Sequence, residues 1–169
     1  MYSRPEYKRE NKTMSDKKFM QEAIELSVNN VKSGKGGPFG AVLVKDGKII
    51  ARAANSVTLT NDPTAHAEVN VIREACKVLN TFQLTGCEIY TSCEPCPMCL
   101  GAIYWARPDK VFYANTKKDA AEINFDDDFI YQEIAKPLNE RNMKFIQLSR
   151  EEALVAFDEW KKKSDKIEY

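Results

Sequence analysis

Two short segments of the chain concentrate residue types that do chemistry: Thr64-Ala65-His66-Ala67-Glu68 and Cys93-Glu94-Pro95-Cys96-Pro97-Met98-Cys99. His66 is the only histidine in the sequence. Each segment falls where a helix is predicted to begin. Cys96 and Cys99 are three positions apart, so both thiols project from one face of a first helical turn. The partial positive charge at a helix N-terminus favours thiolate, the form that binds metal. Two cysteines and one histidine make three soft or borderline ligands, the set of a catalytic zinc site whose fourth position stays open. Zinc lowers the pKa of a water in that position to about 7. Glu68, two residues past His66 in the same turn, is placed to carry that water's proton to a leaving nitrogen. General acid–base work of this kind contributes roughly 10²–10⁴-fold to a rate. Two residues on a regular helix differ in direction by ~200°, so pairing Glu68 with His66 requires a turn or a helix start between them.

The same residues have plainer readings. A Cys-x-x-Cys pair also builds structural zinc corners and redox pairs. Cys93 as a fourth ligand would close the site into an inert centre of three cysteines and a histidine. Glu68 alone is an ordinary solvated helix residue. Against the closed centre stands the His-x-Glu segment, which has no purpose in it. Cys76 fits the apolar face of its helix and Cys87 a strand start, so both read as packing.

A chain of 169 residues and 19.3 kDa must position these groups. That length is about one domain and suffices to bury a core without staples. Twenty-five Lys and Arg balance twenty-five Asp and Glu, which argues against a protein built mainly to grip polynucleotide phosphate. No apolar stretch approaches the ~18 residues of a membrane span, and the N-terminus lacks the apolar core of a secretion signal. The expected address is therefore cytoplasmic. Thiols there stay reduced, so the five cysteines point to metal or chemistry rather than disulfides. Residues 1–14 are polar, precede any apolar periodicity and read as a flexible extension, with Met14 as an alternative initiator. Residues 15–169 form the single domain.

Helical spacing of Phe19, Ala23, Ile24, Leu26 and Val31 predicts a helix over 15–31, ended by Gly34, Gly36 and Gly37. Two strands, 41–44 and 48–54, meet at Asp46-Gly47, a hairpin signal. Asp62 as N-cap with Pro63 at the first helical position predicts a second helix from there. A strand at 88–92, a helix at 95–105 and a strand at 110–114 suggest a parallel crossover. A helix at 129–136, a strand at 144–148 and a helix at 150–163 complete the reading. Five strands alternating with helices favour an α/β sheet covered on both faces.

His66-Ala67-Glu68 with Pro95-Cys96-Pro97-Met98-Cys99 resembles the H-x-E…P-C-x-x-C signature of the zinc-dependent cytidine and nucleobase deaminases. The run from Asn61 to Glu68, the run from Tyr90 to Pro108, Phe125-Asp126-Asp127 and the terminal Glu168-Tyr169 are most similar to the small bacterial guanine deaminases within that superfamily. The resemblance implies a three-layer α/β/α fold around a mixed five-stranded sheet. It also implies one zinc ion per subunit on His66, Cys96 and Cys99, with Glu68 as proton shuttle and guanine converted to xanthine and ammonia. It gives Asn55 a hydrogen bond to the purine, Phe39 a packing contact, Ala67 backbone support and Asp127 a substrate contact that can assist proton transfer. Tyr169 would close the pocket of a homodimer that exchanges C-terminal segments. Free guanine would be the substrate, with neither nucleic acid nor membrane as partner. Without the resemblance, Phe39 is core, Asn55 a turn residue, 126–128 a solvated loop and Tyr169 a frayed end. Deamination of adenosine in transfer RNA, of cytosine or another small base, and a structural zinc module that binds a partner remain the alternatives.

Overall fold

Asp46 and Gly47 both adopt positive φ, 48° and 70°, the turn whose twist matches the two strands that it joins. The computed structural model describes residues 14–125 and 127–168, apart from the side chain of Ser15. The expected extension up to Thr13, Asp126 and Tyr169 lie outside the described residues. The hairpin joins β1 (Gly40–Lys45) to β2 (Lys48–Ala54), paired antiparallel from Lys45 opposite Lys48 to Gly40 opposite Ala54. On its other side β1 pairs antiparallel with β3 (Cys87–Cys93), and β3 pairs in parallel with β4 (Lys110–Asn115). The order β2-β1-β3-β4 makes a mixed sheet, and the strand–helix–strand run from β3 to β4 is the expected crossover.

Alternation along β1 sends Val42 and Val44 to one face and Ala41 and Leu43 to the other. Helix α1 (Met14–Lys32) covers the first face with Phe19 and Ala23. A Cβ on Gly40 would come within 2.4 Å of the Ala23 carbonyl oxygen, so α1 lies on β1 at a distance that only glycine permits. Tyr90 of β3 sits in the same layer, its ring 5.4 Å from Phe19 and stacked 4.5 Å from Phe112. Helices α3 (Ala67–Leu79) and α4 (Pro97–Ala106) cover the opposite face, where Leu43, Val71, Leu84, Ile89 and Ile103 form the larger core. Cys87 is fully buried in that core and Cys76 packs at its margin.

The chain departs from the sequence expectations at four places. The sheet of the described residues has four strands, not five. The segment 144–149 carries no regular structure, and Ile146 and Leu148 are 83% and 86% exposed. A strand needs a neighbour for its N–H and C=O groups, and this segment pairs with no strand among the described residues. The second helix opens at Ala67 rather than Asp62, because Asp62 Oδ1 accepts from the Thr64 amide at 2.8 Å and hydroxyl at 2.6 Å and closes a tight turn instead. Helix α4 begins at Pro97, two residues later than expected. Three short helical pieces were not signalled: α2 (Val57–Thr60), α5 (Lys117–Glu122) and a 3-10 turn at Leu138–Glu140. Helices α6 (Asp128–Ala135) and α7 (Arg150–Lys162) lie within a residue of expectation, and neither contains a buried residue. Among the described residues, no helix is long and apolar enough to cross a membrane.

Candidate active site

The starts of α3 and α4 converge. His66 is the N-cap of α3 and Cys96 the N-cap of α4, both with extended backbone, and neither helix has a side-chain cap. The positions usually held by Ser, Asp or Asn are thus given to an imidazole and a thiol, whose donor atoms lie beside two helix N-termini. The extended conformation at His66 also removes the directional conflict with Glu68. The two are separated by a cap and not by helical turn.

The Nδ1 of His66 lies 3.5 Å from the sulfur of Cys96 and 3.5 Å from that of Cys99. All three donor atoms fall within 4.8 Å of one another. Cys93 is outside this group, its Sγ 3.7 Å from the Thr116 carbonyl oxygen, so a fourth direction is left to a small molecule. A hydrogen bond from Cys99 and the neighbouring His66 hold the Cys96 thiol down to about 4, while the same pairing and burial push Cys99 up. His66 is raised first by its hydrogen bond to Cys96, and the charges of Cys96, Glu68 and Asp127 add to it. A half-buried imidazole facing a thiolate, a thiol and two carboxylates is a donor set of excess negative charge, and one nitrogen with two sulfurs fits zinc.

Glu68 is 5% exposed and held at both oxygens. The Thr91 hydroxyl donates to Oε1 at 3.0 Å and Cys99 Sγ approaches Oε2 at 3.5 Å. Burial pushes its carboxyl up, against the hydrogen bond from Thr91. A buried carboxyl beside a metal site is suited to moving a proton.

A cavity of about 430 Å³ opens onto this centre, reaching His66, Glu68, Asn55, Phe39, Phe125 and Asp127. Its size is that of a small-molecule site. The side-chain oxygen of Asn55 accepts the amides of Gly37 and Val57, both at 3.3 Å. Its backbone oxygen accepts from Asn30 Nδ2 at 2.8 Å. With its oxygen pinned, Asn55 presents the cavity with an N–H donor. Gly36 makes the arrangement feasible, since a Cβ there would stand 2.4 Å from the Asn55 carbonyl oxygen. Phe39 and Phe125 meet edge to face at 5.0 Å and 88°. Ala67 is fully buried, and its side chain does not reach the cavity. What it offers is a backbone N–H at the helix start, where no intrahelical partner exists.

Sequence reasoning passed over Thr91, Asn30, Glu94 and Tyr131, and gave Phe125 no role. Thr91 carried a signal, being a hydroxyl on the core-facing side of a buried strand, and Asn30 another, being an amide on the buried face of α1. The third wall of the cavity comes from α5 and the loop after it, where Thr116 and Asp119 form a capping box; the Thr-x-x-Asp spacing is visible in the sequence.

Three likenesses to known proteins bear on this arrangement. Residues 13–115 match the cytidine and deoxycytidylate deaminase zinc-binding region, a span that includes His66, Glu68, Cys96 and Cys99. The chain is 58% identical to guanine deaminase of Bacillus subtilis over 156 residues, 92% of this chain and all of that one. The crystal structure of that protein superposes with a TM-score of 0.88, covering 90% of this chain and 98% of the other. A tRNA-specific adenosine deaminase of Aquifex aeolicus is 37% identical over 89% of this chain and 96% of its own.

Proposed function

The chain belongs to the family defined by the cytidine and deoxycytidylate deaminase zinc-binding region, and from that premise we propose that it hydrolyses free guanine to xanthine and ammonia. The observation that carries the reading is Glu68, a buried carboxylate fixed by Thr91 beside His66 and Cys99, at the floor of a cavity with a purine-sized mixture of aromatic and amide walls. A relative 58% identical over 92% of the chain is named for that activity.

His66, Cys96 and Cys99 would hold the zinc ion, one in each subunit. Bound there, zinc acts as a Lewis acid that lowers the pKa of a coordinated water to about 7. Glu68 takes a proton from water at one carboxylate oxygen and delivers it to the exocyclic nitrogen at C2, which leaves as ammonia while oxygen remains on the ring. Asn55 Nδ2 donates to an acceptor on the purine, and the Ala67 amide supports a second. Phe39 and Phe125 pack on the faces and edge of the base, and Asp127 accepts from a ring N–H. The carboxylates in the cavity repel phosphate, which favours a free base over a nucleotide or an RNA.

The homodimer and the exchange of C-terminal segments are part of the same proposal. Met143, Phe145, Ile146, Leu148, Val155 and Phe157 are all more than half exposed within one chain. An open groove between α1 and β4, lined by Met20, Ile24, Phe112 and Tyr113, has no cover among the described residues. A second copy supplying residues 143–168 would bury both surfaces, and would bring Tyr169 to the mouth of the pocket as a lid. A free-base substrate supports a cytoplasmic place in purine breakdown or salvage.

The deciding experiment incubates the zinc-loaded protein with guanine, cytosine, adenine, nucleosides and transfer RNA while ammonia is followed. Xanthine formation from guanine is expected. Ammonia from transfer RNA alone would replace this reading with the adenosine one, and absence of ammonia from every substrate would leave a structural zinc module.

A further inference from the structure

The loop that bears Cys96 does more than present a sulfur. Glu94, two residues earlier, donates its backbone N–H to the Asn115 carbonyl at 2.8 Å, and its Oε2 accepts the amide of Lys117 at 3.0 Å. Lys117 is the first residue of α5, so the Glu94 carboxylate satisfies one of the orphan amides of that helix from another element. The Lys117 ammonium lies 4.7 Å over the ring of Tyr131 on α6 and 3.8 Å from Asp128. The Tyr131 hydroxyl in turn donates to the carbonyl oxygen of Pro95 at 3.3 Å. Glu94, Lys117, Tyr131 and Pro95 therefore close a ring of contacts that begins and ends on the cysteine loop. Burial raises the Tyr131 hydroxyl, and the charges of Asp127 and Glu94 add to it, so all three share one neighbourhood.

The ring encloses the only stretch that joins α5 to α6 and bears Phe125 and Asp127. Beyond the edge-to-face contact of Phe125 with Phe39, that stretch lies near the surface. Among the described residues, neither α6 nor the loop contains a buried one, and α5 buries only Ala120. Its backbone is anchored locally, with the Phe125 amide on the Ala120 carbonyl and the Ile130 amide on that of Asp127, both at 3.0 Å. Local anchoring fixes the shape of the loop but not its distance from His66 and Glu68. The Glu94 and Tyr131 contacts, together with Cys93 Sγ 3.7 Å from the Thr116 carbonyl oxygen, tie it to the cysteine loop.

We infer that Glu94 and Tyr131 are positioning residues, a clasp that sets Phe125 and Asp127 at purine distance from the centre formed by His66, Cys96 and Glu68. This rests on the guanine reading above. Tyr131 stands outside the lining of the cavity, and Glu94, which borders it, acts through the amide of Lys117; each works through the loop. The effect should fall on substrate binding, because Glu68 and the three metal-facing donors are held by other contacts.

The test combines kinetics on the zinc-loaded full chain with amide hydrogen exchange. Glu94→Ala is expected to raise KM for guanine roughly tenfold or more, the scale of one lost charge-assisted hydrogen bond, with kcat changed by less than about threefold. Glu94→Gln, which keeps a side-chain carbonyl acceptor, is expected to restore most of the affinity. In an Asp127→Ala background the further loss from Glu94→Ala should shrink to about twofold, since a clasp with nothing to position has no effect. Tyr131→Phe removes one hydroxyl from a surface helix and should raise KM in the same direction even if Glu94→Ala folds poorly. Exchange of the amides between residues 117 and 131 should accelerate in Glu94→Ala and in Tyr131→Phe, a readout that needs no substrate. Equal losses with and without Asp127, or unchanged exchange over 117–131, would overturn the clasp. Turnover of guanine by the wild-type chain reports separately on the proposed function.

Discussion

The Thr91 hydroxyl donates to Glu68 Oε1 at 3.0 Å from the neighbouring strand β3. This bond runs from the sheet to helix α3 at the carboxylate proposed to move a proton. With Cys99 Sγ 3.5 Å from Oε2, the carboxylate is held at both ends and has one rotamer to occupy. Its freedom to rotate is lost at folding, not during reaction, which is the preorganisation that proton transfer exploits.

Glu68→Gln is isosteric, and its amide oxygen still accepts from Thr91. It removes the proton carrier and little else. Turnover of guanine is expected to fall by roughly 10²–10⁴-fold, while zinc content by atomic absorption and the thermal midpoint stay near wild type. Ammonia release equal to wild type would deny Glu68 its role. Thr91→Val should give a smaller loss in kcat, because the carboxylate remains but is no longer oriented.

Asn55 provides a sharper test of substrate recognition, because its two ends do different work. Asn55→Asp keeps an oxygen to accept from Gly37 and Val57, and so keeps the loop. It exchanges the cavity-facing N–H donor for a second acceptor. Leaving a purine acceptor without its partner costs about 1.5–3 kcal/mol, so kcat/KM for guanine is expected to drop by roughly 10–100-fold. Steady-state kinetics would show the loss mainly in KM. An unchanged KM would remove Asn55 from the contact.

The legibility of the sequence followed the range of the forces involved. The hairpin at Asp46-Gly47 and the strand–helix–strand run from Cys87 to Asn115 were readable because turn chemistry and periodicity are local. His66, Glu68, Cys96 and Cys99 were readable because their types are rare and their spacing is short. The start of α3 was misplaced because Asp62 caps a turn as readily as a helix, and only the tertiary fold chooses. The fifth strand was misplaced because the alternation in 144–148 encodes a wish to pair and not a partner. Asn30, Thr91 and Glu94 were passed over because each acts across long separations, 25, 23 and 23 residues in their hydrogen bonds to Asn55, Glu68 and Lys117.

Tyr90 gives the fold a pH dependence of known sign. Its ring is fully buried, and its hydroxyl lies 3.1 Å from Asp16 Oδ1 and 3.0 Å from Glu88 Oε2. Burial first, and then the hydrogen bond to Glu88, push its ionisation far above the usual tyrosine value near 10. A group whose pKa is raised on folding contributes stability that is whole below its unfolded value and lost as pH rises past it. The denaturant midpoint is therefore expected to decline above about pH 10, and Tyr90→Phe should flatten that decline while costing about 1 kcal/mol at neutral pH. An identical slope in both proteins would place the alkaline sensitivity elsewhere.

Metal removal should register in stability as well as in turnover. A ligand that binds only the folded state stabilises it by mass action, and here it also offsets the crowding of Cys96, Glu68 and Asp127 around His66. Dialysis against a chelator is expected to abolish ammonia release and lower the thermal midpoint by several degrees, about what a few kcal/mol does in a domain of this size. Added zinc should restore both. Cys96→Ser should show the lowered midpoint from the outset and respond weakly to zinc. A midpoint indifferent to chelation would mean that the three donors hold no ion in the folded protein.

The C-terminal segment provides the last test, because most of its apolar residues stand exposed in the described chain. Ile146 and Leu148 are among the most exposed large hydrophobics in the molecule, at 83% and 86%, and burying a side chain of that size contributes roughly 1.5–3 kcal/mol. A truncation that removes residues 143–169 is expected to sediment as a monomer where the full chain sediments as a dimer, and to lose most guanine turnover. The shorter deletion of residues 167–169 separates assembly from closure: the dimer should persist while KM rises or kcat falls, since a lid excludes water and completes a site. A mixture of the two inactive variants Glu68→Gln and 143–169-deleted, refolded together, should recover part of the activity if a segment from one subunit completes the pocket of the other. No recovery, with each protein folded and zinc-loaded, would confine the segment to its own chain.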